Sequence, residues 1–576
     1  MKSLPAITSF CFFVLISCNS SVQKDNKKAS AIYFNGDIIT MEGDSAVYTE
    51  AILVTDGKIA ATGTKAAMMQ QADDATQQVD LQGKTLLPAF IDAHGHVGGY
   101  AALEAAANLM PEPYGKVMSV PMLQQALRDY IKAKNIPAGV PVIGNGYDDA
   151  VMTEHRHPTA AELDAVTTEH PVYIMHTSGH MGVANTLFMK KMGVNYTTPD
   201  PPGGLMGRDP KTRQLTGKMM ENANIRALSL LATLLPPDST KDKFAGLLSA
   251  EKVWLANGQT TICEGRTSPE QIRLIREAAA KGLLKGDIVV LPDYDANKDS
   301  LAVWKQYYNK YDGHFKIGGI KMTFDGSPQG KSAWLTQPYL VPPDGEKPGF
   351  RGHPIYTHAA AYAGLKAIFE HGMPAHIHCN GDAAIDEALV LIDSLQKQGL
   401  QPAGIRCVLV HAQVTRPDHL ARFKQLNIIP SWFPTHCYLW GDWHLTSVLG
   451  PERANHISPL MDGLKNHIMF TIHHDAPVTP PDLLTAIYAA VNRTTRSGII
   501  LGADQRISPY EALKAITINA ADQWGEEATK GSLVKGKRAD LVILDKNPLK
   551  VAPATIKDIK VMETIKDGTP VYTRPH

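Results

Sequence analysis

Two histidines one residue apart, His94 and His96, close an apolar run in LLPAFIDAHGHVGG, residues 86–99. Side chains two apart on a strand point the same way, so both imidazoles face one side at the strand's end and form half of a metal site. With 22 histidines in the chain, a single His-x-His pair is as easily chance or surface. Repetition changes that: one later strand ends at His378, the next at His411 and another at Asp475, each just before a turn. Imidazole and carboxylate suit zinc or a similar divalent ion. Alone, each is more simply a packed or hydrogen-bonded side chain; together at successive strand ends they are hard to attribute to packing. Lys321, in GGIKMTFDGS, is the sixth member. Burial disfavours a charged lysine and lowers its pKa. The neutral amine can then react with carbon dioxide to give an anionic carbamate able to bridge two metals. The competing arrangement pairs Lys321 with Asp325 or another carboxylate.

These groups need a scaffold that gathers strand ends. After TLLPAFIDAHGH come QTTICEG (259–265), DIVVLPDYD (287–295), IGGIKMTFDG (317–326), PAHIHCNGD (374–382), RCVLVHAQ (406–413), NIIPSWFPTH (427–436) and HIMFTIHHDAPV (467–478), short apolar runs alternating with helical patterns. That alternation predicts parallel βα units, and eight strands close an α/β, TIM-type (β/α)8 barrel. The first two strands are separated by far more chain than a crossover helix needs. Residues 100–254 therefore form a large insertion, expected to cap the barrel mouth. The barrel takes residues 88–99 and 255–529. Residues 31–87 and 530–576 carry short β-rich runs, with Asn35-Gly36 and Asp56-Gly57 as hairpin-turn dipeptides, and predict a composite β-sandwich built from both chain ends.

The 576 residues allow a large core, and 57 basic residues balance 57 acidic ones without long runs of either sign. Nothing attracts nucleic acid, and a small-molecule substrate is the expected partner. Residues 1–17 read as an export signal, and Leu15-Ile16-Ser17-Cys18 resembles the lipobox of bacterial lipoproteins, with Cys18 as the lipidated residue. Residues 18–30 then form a flexible tether, and the protein is expected outside the cytoplasm, held to a bacterial membrane by the lipid anchor only; homo-oligomers are compatible with this. Cys263, Cys379, Cys407 and Cys437 lie in apolar contexts without C-x-x-C spacing and read as buried free thiols.

LLPAFIDAHGHV resembles the P-G-F-I-D-x-H-x-H opening of the amidohydrolase superfamily, and ALKAITINAADQWG with KGSLVKGKRADLVILD is similar to its closing signature. GNGYDD, HPVYIMHTSGHMGVAN, PPGGLMGRD, KMTFDGSPQG, HCNGDAAIDEAL, VHAQ, FPTH and HHDAPVTPPDLLTAIYAAVNR match, in order, blocks of its YtcJ-like branch, amidohydrolase family 3, which contains N-substituted formamide deformylase. The resemblance runs from about residue 31 to the C-terminus. It implies one metal held by His94, His96 and Asp475, a second held by His378 and His411, and carboxylated Lys321 bridging two zinc or similar ions. It also implies Asp475 as the catalytic general base. The expected activity is metal-dependent hydrolysis of a non-peptide C–N bond in a small N-acyl or N-formyl compound. Rivals are a deaminase or cyclic-amide hydrolase on the same scaffold, which commonly has one metal and no bridging lysine, and a lipoprotein that binds a ligand without turnover.

The chain departs from the branch beside its ligands: His378-Cys379-Asn380-Gly381-Asp382 replaces His-Ala-Ile-Gly-Asp, Val410-His411 replaces Glu-His, and His473-His474-Asp475 replaces Gly-Ser-Asp. His473 shares a strand face with Asp475 and is read as a hydrogen-bond donor behind the ligands. Candidate substrate contacts are Tyr147, Asp148, His180, Asn185, Trp432 and His436. Glu221 and Glu264 are possible extra ligands or acceptors.

Overall fold

The computed structural model describes residues 30–575 except 104–105, 236–239 and 344, so the expected leader, Cys18 and nearly all of the tether lie outside the described residues. No helix among the described residues is long and apolar enough to cross a membrane.

The two chain ends share one eight-stranded sheet, in the order Thr569–Thr573, Val561–Lys566, Leu541–Leu544, Thr85–Pro88, Ala31–Ile39, Tyr48–Thr55 and Lys58–Gly63, with Gln77–Asp80 also on Ala31–Ile39. Leu541–Leu544 runs antiparallel to Thr85–Pro88, which ties the C-terminal strands to the N-terminal ones. Asp56-Gly57 is the tight turn its sequence predicts, with both residues at positive φ between paired Thr55 and Lys58. Asn35-Gly36 is not a turn. It lies inside a strand, at a register shift between Phe34 and Ile38 where the pairing changes from Gln77–Asp80 to Thr85–Leu86. A Cβ on Gly36 would stand 2.3 Å from the Lys84 carbonyl oxygen, so the glycine serves a close backbone approach.

All eight expected central strands form, as two parallel sheets. One orders Phe315–Ile317, Asp287–Pro292, Gln259–Thr267 and Phe90–Ile91; the other orders Ile320–Thr323, Ala375–Cys379, Val408–His411, Ile429–Trp432 and Thr471–Ile472. The fourth strand is therefore split at Gly318-Gly319, where a Cβ on Gly318 would meet Val289 and the Trp524 ring within 2.8 Å. The ladder is two open sheets, not the continuous closed ring expected. Their edges still meet: His96 N–H donates to the Ala476 carbonyl at 2.8 Å and Asp475 N–H to that of His94 at 3.2 Å. The long connection between the first two strands folds on its own six-stranded sheet, with Val172–His176 and Met181–Ala184 as an antiparallel hairpin. Cys263, Cys379, Cys407 and Cys437 are buried free thiols.

A buried charge cluster joins the central sheets to the terminal one. Asp287 receives Lys530 at 2.7 Å, Lys566 at 2.6 Å and His314 at 2.7 Å, while Glu526 pairs with Lys530 at 2.6 Å and with Lys316. Asp287→Ala leaves two buried ammonium groups short of a partner and is expected to cost about 3–5 kcal/mol in denaturant unfolding, as breaking buried pairs does. Burial alone would raise the Glu526 carboxyl, but Lys530 and Lys316 outweigh it and hold it at about 2 against an ordinary 4.5. Because the folded pKa lies below the unfolded one, this stabilisation is complete above about pH 4.5 and drains away toward pH 2. Thermal melts across that window should fall more steeply for wild type than for Glu526→Gln.

Candidate metal centre

The loop after the first central strand is fixed before any ligand is placed. Asp92, fully buried, accepts from the His94 backbone N–H at 3.0 Å, from Trp254 Nε1 at 2.8 Å and from Cys263 N–H at 3.1 Å. The aspartate of FIDAHGH thus aims the two histidines and leaves their rings free. Nε2 of His94 and Nε2 of His96 lie 3.4 Å and 3.3 Å from Oδ1 of Asp475. Nε2 of His411 lies 4.0 Å from Oδ2 of the same carboxylate, and Lys321 Nζ lies 3.1 Å from His94 Nε2. The His378 ring centroid is 4.6 Å from that of His411. All six expected ligands therefore line one cavity of about 540 Å³.

The free nitrogen of each ring follows from what its other nitrogen does. His378 Nε2 lies 3.1 Å from the Gly326 carbonyl oxygen and 3.0 Å from the Asn380 amide, so Nδ1 is left over. His411 is the reverse: Nδ1 lies 3.0 Å from His473 Nε2, and His473 Nδ1 lies 3.0 Å from the Ser431 hydroxyl. Two turns that carry candidate ligands adopt backbone that L side chains rarely take, with φ of 70° at His411, 41° at Ala412 and 54° at Asp475. Strain of this kind persists only where the surroundings enforce it, and it clusters at functional sites.

Burial, with Lys321 and neighbouring rings adding to it, pushes His94, His378 and His411 well below the ordinary imidazole range, which keeps them in the neutral form that binds metals. Burial also brings Lys321 down to about 8. Asp475 is held below the usual carboxylate range: burial opposes this, and His96, His473 and Lys321 together outweigh it. Its Oδ1 is buried yet accepts no hydrogen bond, although two imidazole nitrogens face it. A divalent cation fits that donor set, and the unpartnered oxygen is the observation that marks its place.

Asp325 is not the partner of Lys321. It accepts from the backbone N–H groups of Asn380, Gly381 and Trp334 at 2.8, 2.7 and 3.0 Å, and burial raises it to about 7. Of the six candidate substrate contacts, His180 lines the cavity, with Nδ1 2.9 Å from Glu221. The others lie off its lining. Tyr147 reaches His157 at 3.0 Å, and Asp148 accepts from Trp440 Nε1 at 2.7 Å, a bond between the insertion and the helix Thr435–Trp443. Asn185 caps the helix Thr186–Met192, Trp432 donates to the Ala412 carbonyl at 3.2 Å, and His436 contacts His444 at 3.2 Å. Each already spends its polar atom on packing. Glu221 and Glu264 both line the cavity; Glu264 accepts from Gly98 N–H, and burial lifts it to about 7. Arg266, Gln271 and His176 also reach the lining, and none sits at a spacing that marks it in the sequence.

An α/β scaffold with a buried His/Asp/Lys cluster at its strand ends defines a metal-dependent hydrolase. Residues 77–572 match the model of the amidohydrolase family, and the chain belongs to that family, whose members include hydrolases of C–N bonds. It is 26% identical over 557 residues to N-substituted formamide deformylase of Arthrobacter pascens, covering 94% of this chain and 98% of that one. It is 24% identical to the putative amidohydrolase YtcJ of Bacillus subtilis, covering 94% and 99%. Among solved structures, a metal-dependent hydrolase from Pyrococcus horikoshii superposes with a TM-score of 0.71 at 22% identity, over 91% of this chain and 99% of that one, which shows the shared fold.

Proposed function

We propose that the protein hydrolyses the C–N bond of a small N-acyl or N-formyl compound, with two divalent ions, zinc by donor chemistry, in the cluster of His94, His96, Lys321, His378, His411 and Asp475. The observation that carries this is the convergence of all six on one cavity around an unpartnered carboxylate oxygen. His94, His96 and Asp475 would hold one ion, His378 and His411 the other, and carboxylated Lys321 would bridge them. We read the two parallel sheets as arcs of one (β/α)8 barrel, the terminal sheet as the composite sandwich and the insertion as its cap. Export and a lipid anchor at Cys18 complete the proposal.

When bound, the ions would supply a water of lowered pKa and polarise a carbonyl. Asp475 takes the proton of the attacking water and returns it to the leaving nitrogen. Gly326 and Asn380 fix the His378 ring, while Ser431 through His473 fixes that of His411. His180, held by Glu221, faces the substrate side. His473→Ala is expected to weaken metal binding by about 10–100-fold, the usual cost of losing such a support, with the fold intact; a chelator competition reads it. Lys321 favours amide hydrolysis over a one-metal deaminase. Metal analysis coupled to a screen of N-acyl amides tests the whole reading: two ions and turnover are expected. A wild-type protein purified metal-free without chelators and unable to take up zinc would overturn it.

A further inference from the structure

The cavity has a polar floor and an apolar wall. The helix Asn222–Leu234 starts directly after Glu221 and presents Ile225, Leu228, Leu231 and Ala232 to it, a spacing that puts all four along one side of the helix. Met175 and Ile143, from neighbouring strands of the insertion's sheet, line the same space. Ile225 is 41% exposed, and apolar surface left in water is unfavourable in proportion to its area. The volume, about 540 Å³, is far more than a formyl or acetyl amide fills and lies within the range of drug-sized ligand sites. The charges on the lining point the same way. Its lysine and arginine, among the described residues, are Lys321 in the metal cluster and Arg266, whose Nε is bound by Asp293 at 2.6 Å. Arg266 already has a carboxylate partner, and a carboxylate on the substrate would have to compete with Asp293 for it.

We infer that the substrate amide carries an extended apolar substituent of about six carbons or more and no carboxylate, and that the helix Asn222–Leu234 selects for it. This rests on the amide-hydrolase reading above. The occupant is the substrate's own side group, because the wall is continuous with the metal floor within one cavity. The same chemistry could sit on the acyl or the amine side of the scissile bond, and matched substrates separate the two.

The test compares kcat/KM of the metal-loaded full chain for N-methylacetamide, N-methyloctanamide, N-octylacetamide and N-octanoylglycine. One of the two neutral octyl amides should exceed N-methylacetamide by about 100-fold or more, given the gain per buried methylene, and N-octanoylglycine should fall below N-methyloctanamide. In Leu228→Asp and in Ile225→Asp, the second at a side chain already 41% exposed, the long-to-short ratio should collapse, mainly through KM. Equal kcat/KM for long and short amides, or a ratio that survives both substitutions, overturns the inference. If the loaded enzyme turns over none of these amides and not N-octylformamide either, the amide reading fails by itself. The wall is then judged by octylurea binding in calorimetry: binding to wild type that both variants lose supports it, and absence of binding to wild type overturns it.

Discussion

Asp475→Asn should leave a folded protein whose kcat is lower by about 10³-fold or more, since general acid–base catalysis alone contributes about 10²–10⁴-fold. The swap is nearly isosteric, and asparagine tolerates the left-handed backbone better than other non-glycine residues, so the φ of 54° is no obstacle to folding. What changes is chemistry. The amide cannot take a proton from water, and it is a poorer ligand opposite His94 and His96, whose Nε2 atoms lie 3.4 and 3.3 Å from Oδ1. Circular dichroism should match wild type, metal content should fall, and excess zinc should restore occupancy without restoring kcat. A variant within tenfold of wild type at full occupancy would remove Asp475 from the proton path.

Lys321→Ala carries the second large effect. The amine is buried against His94 Nε2 at 3.1 Å, and burial holds its pKa at about 8, so a substantial neutral fraction exists near pH 8 to react with carbon dioxide. Truncation removes the proposed bridge, and kcat/KM is expected to fall by more than about 100-fold, beyond the cost of a lost supporting contact. Metal content should drop below two ions per chain, and acetate or propionate, able to stand where the carbamate stood, should recover part of the activity. Full activity with one ion per chain in Lys321→Ala would defeat the two-metal proposal.

The eight central strands were legible because strands buried on both faces read as short apolar runs, and the cluster of candidate ligands because most of its members end such runs. Lys321 was legible for a different reason, as a charge in an otherwise apolar strand. Ladder continuity was not: the fourth strand is split at Gly318-Gly319, where a Cβ on Gly318 would run into Val289 and Trp524, neighbours that no local pattern encodes. Asn35-Gly36 read as a turn because positive φ and close approach favour the same residues, and the structure uses both, Asn35 at a φ of 60° and Gly36 against the Lys84 carbonyl, within a strand that does not reverse. Side-chain targets were the least legible. Asn185 and Trp432 belong to blocks of a binding-site texture, yet their polar atoms cap a helix and hold a backbone carbonyl. Which buried side chains face the cavity is settled by tertiary packing.

The pairing of Thr85–Pro88 with Leu541–Leu544 has a consequence for how the molecule is made. Its partners lie far apart in sequence, so the N-terminal strands emerge from the ribosome with one edge vacant and keep it vacant until Leu541–Leu544 has been made. Contacts this distant form slowly, and an open apolar edge invites pairing with another chain in the meantime. Pro88 is followed at once by Ala89, Phe90 and the loop that carries His94 and His96. His94 and His96 thus hang from a strand whose partner, Leu541–Leu544, is translated long after them, so the loop that carries them rests on a foundation that is completed late.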